Sequence, residues 1–122
     1  MSILKEFRRI VIIVKKYFWR FTYSNKKDRN YSYLLVTSDV GINAELLIRF
    51  SLRNHSVDHQ MLKNGFYVLR DGTQKMISLT QPQVVAEIIT YANRNNVIDF
   101  EKKRGIVLDN GEELLKEMGY HF

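Results

Sequence analysis

Hydrophobic positions near the start of the chain recur every three to four residues. Ile3, Leu4, Phe7, Ile10, Val11, Val14, Phe18 and Phe21 would share one face of a helix over residues 3–21. Arg8, Arg9, Lys16 and Arg20 fall mostly opposite, while Ile12, Ile13 and Trp19 widen the apolar stripe. The spacing predicts a basic amphipathic N-terminal helix within residues 1–23. Residues 24–30 are polar and charged and read as a connector to a body spanning 31–122.

Within that body, 31–37 is β-rich around Leu34, Leu35 and Val36, a continuous apolar run suited to a strand covered on both faces. Asn43 is a candidate cap for a helix over 43–54 that turns Leu46, Leu47 and Phe50 inward. Residues 66–70 and 73–79 flank Asp71 and Gly72, a pair that meets the positive φ of a two-residue hairpin turn cheaply. Thr80 and Gln83 predict a capping box, with Leu79 and Val84 as a staple and Pro82 in the first turn. Val84, Val85, Ile88, Ile89 and Ala92 would form that helix's buried stripe. Short strands are expected at 97–100 and 106–108. A last helix begins near Asn110, buries Leu114, Leu115 and Met118, and stops at Gly119. From residue 31 onward the order is β-α-β-β-α-β, so the expected fold is α+β: a single ferredoxin-like sandwich preceded by the basic helix, one domain over 1–122.

Charge sharpens this picture. The first thirty residues hold nine Lys/Arg against two acids, net +7, while the whole chain is +6, so residues 31–122 net −1. Six of the fifteen aromatics, including the only tryptophan, lie in the same basic segment. Such a segment suits a contact with something anionic or apolar. The absence of cysteine removes thiolate nucleophiles, disulfides and cysteine-based zinc sites, and fits a reducing, cytoplasmic setting. The apolar run from Ile10 to Val14 ends at Lys15, too short for a secretory core or a membrane span.

Catalytic signatures are sparse. His55 and His59 stand four apart, as paired metal ligands on a helix do, but the glutamate of a His-Glu-x-x-His site is missing and no third ligand is evident. The same histidines, with Lys63, Arg70 or Lys75 nearby, offer a metal-free ribonuclease reading. Asp39 follows an apolar strand, where metal or phosphate chemistry is often placed, although a turn acid is the favoured explanation. The six glycines are scattered, so no phosphate-cradling loop is present. An RNA-recognition sheet would need aromatics on both central strands. In the expected order Tyr31 and Tyr33 supply one, while 73–79 supplies none.

These features point to a small non-enzymatic binding module without cofactor or metal, docking on a macromolecular partner. A protein partner is favoured, in an immunity-, inhibitor- or adaptor-like role. Nucleic-acid binding through the basic helix is the alternative, a small ribonuclease the next, and a membrane surface is also admitted by the charge. The expected binding residues are Arg8, Arg9, Lys15, Lys16 and Arg20, with Trp19 as an aromatic anchor.

Overall fold

Between Lys16 and Tyr23 the aromatic residues Tyr17, Trp19, Phe21 and Tyr23 alternate with Lys16, Phe18, Arg20 and Thr22. A period of two is the signature of a strand, and this segment is one. The computed structural model describes residues 8–12, 15–26, 29–38, 45–51, 58–98 and 105–122. In it the expected N-terminal helix is replaced by two antiparallel strands, β1 (Arg8–Ile12) and β2 (Lys15–Lys26). The physical reason is composition. Ile, Val, Thr and aromatic side chains lose rotamer freedom against a helical turn but fit a pleated surface.

The chain continues antiparallel through β3 (Arg29–Ser38) and β4 (Glu45–Ser51). The helix expected over 43–54 is thus also a strand where described: Leu46, Ile48 and Phe50 are buried, and Leu47 and Arg49 alternate with them. After α1 (His59–Asn64) comes a separate hairpin, β5 (Phe66–Arg70) and β6 (Thr73–Ile77). Then follow α2 (Pro82–Arg94), β7 (Ile106–Leu108) and α3 (Gly111–Glu117). Strand β7 joins the main sheet parallel to β4, giving the order β1-β2-β3-β4-β7. A five-stranded mixed sheet plus a two-stranded one, with three short helices, overturns the ferredoxin-like β-α-β-β-α-β expectation.

The local signals between residues 66 and 98 fare better. Asp71 and Gly72 hold φ values of 53° and 75° at the hairpin turn. Helix α2 buries Val84, Val85, Ile88, Ile89 and Ala92. Its expected capping box does not form. Gln81 is the N-cap without a side-chain bond, and the Thr80 hydroxyl instead donates to the Lys63 carbonyl at 2.8 Å. Asn110 likewise precedes α3 without a side-chain cap, while Gly119 terminates that helix region at φ 99°. Val97 and Ile98 are not in a strand.

One cluster of buried side chains ties the elements together, with Tyr17, Trp19, Leu34, Val36, Leu46, Ile48 and Phe50 from the sheet meeting Val85, Ile88, Ile89, Leu114 and Leu115. Helix α3 comes so close to β4 that a Cβ on Gly111 would collide with the Phe50 ring. Helix α1 is fixed by Asp58, whose carboxylate accepts from the Met61 amide at 2.9 Å. All three helices contact the same side of the sheet: His59 through Ser32, Asn93 through Tyr17, Gly111 through Phe50. Among the described residues, no helix is long and apolar enough to cross a membrane.

Candidate docking face

Strand pairing decides which side chains share the other face. Directly opposed residues in a ladder project to the same side. One row across the sheet runs Arg9, Phe18, Thr37, Glu45; the next runs Arg20, Leu35, Leu47, Val107; a third runs Thr22, Tyr33, Arg49. Tyr31 lies two residues before Tyr33 and so joins this face. Among the described residues, no helix or hairpin lies over it. Val11 and Val107, near its two ends, are 55% and 52% exposed.

The face has an aliphatic centre with aromatic and cationic flanks. A shallow depression of about 340 Å³ is lined by Tyr31, Tyr33, Leu35, Glu45, Leu47 and the Gly105–Val107 stretch. The rings of Tyr31 and Tyr33 stand 5.9 Å apart, and the Arg49 guanidinium lies 5.2 Å from the Tyr31 ring centre. Arg49 is steered from the far end by Asp109, 3.1 Å away. This pair is largely solvent-exposed, so it orients Arg49 more than it stabilises the fold.

The residues expected to bind are split by this geometry. Arg9, Lys16 and Arg20 lie on the bare face. Lys15 opens β2 opposite Ile12. Arg8 projects to the helix side, where its guanidinium donates to the Thr80 carbonyl at 2.8 Å and sits 4.9 Å from the Trp19 ring centre. Trp19 is only 1% exposed and belongs to the core, so its indole is not a surface anchor. Among the described residues, the aromatics on the bare face are Phe18, Tyr31 and Tyr33. Sequence reasoning missed Tyr33, Leu35, Leu47, Arg49 and Val107 as partners in a site, although the alternation around Leu46 and Ile48 carried the signal.

Other candidates fold into the structure's own packing. His55 and Asp39 lie outside the described residues. His59 shares a 2.6 Å hydrogen bond with the buried Ser32 and stacks on Phe21 at 5.4 Å. Burial, aided by the nearby Lys63, lowers its pKa, and Asp58 opposes the change. No group of three His, Asp or Glu suited to a metal occurs among the described residues.

On the helix side, Arg70 donates to both Glu87 oxygens at 2.9 Å and to the Tyr120 hydroxyl at 3.0 Å, and Tyr120 in turn donates to Glu87. Burial pushes the Glu87 carboxyl up, but the bonds from Tyr120 and Arg70 outweigh it and hold the group below its ordinary value. Burial, together with the bond to Glu87, raises Tyr120. Each group satisfies the others, and the trio joins β5, α2 and the C-terminal segment.

No family model, curated protein or solved structure matches this chain.

Proposed function

We propose that this chain is a binding module that docks on a protein through the uncovered face of its five-stranded sheet. The observation that supports this reading is the aliphatic row Leu35, Leu47, Val107, flanked by Arg20, Tyr31, Tyr33 and Arg49. Protein interfaces have this anatomy: an apolar centre depleted of charge, with Tyr and Arg as anchors. Nucleic acid makes poorer use of it, because Leu35, Leu47 and Val107 offer neither stacking rings nor hydrogen-bond donors. Arg9 and Lys16 at the β1–β2 end set the rim chemistry, so the fitting partner surface is apolar at its centre and acidic at its edge.

Site-specific photo-crosslinking in the cells that express the chain tests this directly. A crosslinking residue at Val107 should capture one discrete protein, whereas the same residue at Gln83, exposed on α2 and away from this face, should not. Leu47→Arg should abolish the capture while circular dichroism stays unchanged. Capture of nucleic acid at Val107, with affinity falling linearly in log K against log salt, would replace the protein reading with the nucleic-acid one. Equal capture at both positions would end the docking-face assignment.

A further inference from the structure

An open strand edge selects its partner by backbone chemistry, because its row of N–H and C=O groups is matched by another extended chain. The two sheets end on β1, β7, β5 and β6. Strand β7 is only three residues long, and short edges pair poorly. The outer edge of β5 is held by His121, whose backbone exchanges bonds of 2.8 and 2.9 Å with Leu69. Strand β6 carries Lys75 at its middle, a position that discourages strand addition. Strand β1 differs from all three. It is five residues long, lacks proline and glycine, and pairs only with β2 among the described residues. Its inward cation does not obstruct the edge, because the Arg8 guanidinium is folded onto the Trp19 ring and donates to the Thr80 carbonyl.

We infer that the β1 edge accepts an acidic extended segment of the partner protein, added to the main sheet as a further strand. Charge decides the occupant. The first thirty residues net +7, so a second copy of β1 would set one strongly cationic segment beside another, whereas an acidic strand meets the opposite sign. Arg9 and Lys16 are exposed at this border, and neither has a hydrogen bond or ion pair among the described residues. Register decides the pattern. Side chains placed opposite Arg9 and Val11 share the bare face, while those opposite Ile10 and Ile12 point toward the helices, where both isoleucines are half-buried. The fitting segment therefore alternates carboxylates, near Arg9 and Lys16, with aliphatic residues against Ile10 and Ile12. Bound this way, it extends the docking face beyond the row Arg9, Phe18, Thr37.

The strand belongs to the partner inferred above, but a free peptide serves as probe, so the outcome is separate from that of crosslinking at Val107. A short capped peptide alternating Glu and Val is titrated with the whole purified chain and followed by fluorescence anisotropy. It should bind at least about tenfold more tightly than the matching Lys–Val peptide. The Glu–Val peptide N-methylated at every residue keeps its charge but loses its amide donors, and should not bind. Hydrogen exchange should slow within Arg8–Ile12 and not within Thr73–Ile77 when the Glu–Val peptide is present. Arg9→Glu should weaken that peptide at least about tenfold and shift preference to Lys–Val, and Arg9→Gln, expected to weaken it less, serves if the first variant misfolds. No binding of Glu–Val up to about 1 mM, equal affinity for its N-methylated form, or slowed exchange confined to another strand overturns the inference. So does a folded Arg9→Glu or Arg9→Gln variant that binds as the parent does.

Discussion

The two faces of the five-stranded sheet are built from the same strands, often from neighbouring residues, yet they have opposite fates. Toward the helices, Trp19, Leu34, Val36, Leu46 and Ile48 are at most 1% exposed and meet α2 and α3. One residue along each strand, Phe18, Leu35 and Leu47 remain half-buried with no layer over them among the described residues. A face built only for solvent alternates apolar with polar positions. This one keeps apolar residues on both sides, so its second side is suited to contact.

Mutations that cross the sheet test that difference most strongly. Trp19→Ala removes a fully buried side chain and should cost about 3–5 kcal/mol, whereas Leu35→Ala, one row away on the bare face, should cost about 1 kcal/mol. Chemical denaturation of both variants checks the contrast, and equal losses would mean that the second face is covered as well. A smaller effect is expected at the helix–sheet contact. Gly111→Ala places a methyl against the Phe50 ring, and overpacking of that kind costs about 1–3 kcal/mol. An unchanged midpoint would show that α3 does not press on β4.

The smallest expected effect is the pH response of His59, the first residue of α1, whose ring packs on Phe21 and bonds Ser32 of the sheet. Its folded pKa lies below the ordinary 6.5, so the unfolded chain binds the proton first as the solution is acidified. Stability is complete above about pH 6.5 and falls as pH drops through that value toward the folded pKa, below which His59 adds no further change. Lys63 and Asp58 flank the ring and pull its pKa in opposite directions. Thermal melts between neutral and mildly acidic pH should show a decline that His59→Gln flattens, and parallel curves for the two proteins would remove His59 as its source.

What could be read from the sequence follows the range of the interactions involved. Asp71–Gly72 and the stripe from Val84 to Ala92 depend on neighbours a few residues away, and both stand as expected. The opening segment reads as a helix because Phe7, Ile10, Val11, Val14 and Phe18 satisfy a helical period. The strand period at Tyr17, Trp19, Phe21 and Tyr23 was equally present. Only pairing of Trp19 with Val36 and Arg8, which no local pattern encodes, selects between them. The same applies to the docking face. Arg9, Lys16 and Arg20 are visible as a basic group, but joining them to Leu47 and Val107 requires the register of five strands. The charge signal was therefore legible, and its apolar centre was not.

The parallel seam between β4 and β7 also bears on how the molecule assembles. Strands β1 to β4 follow one another along the chain, so that meander can zip up from adjacent hairpins. Leu46 and Ile106 must instead find each other across about half the chain, and closing so long a loop is a late step. Until Ile106–Leu108 arrives, the backbone groups along the outer rim of Leu46–Ile48 stand open. During synthesis, that rim is where a nascent chain is most exposed to pairing with the wrong strand.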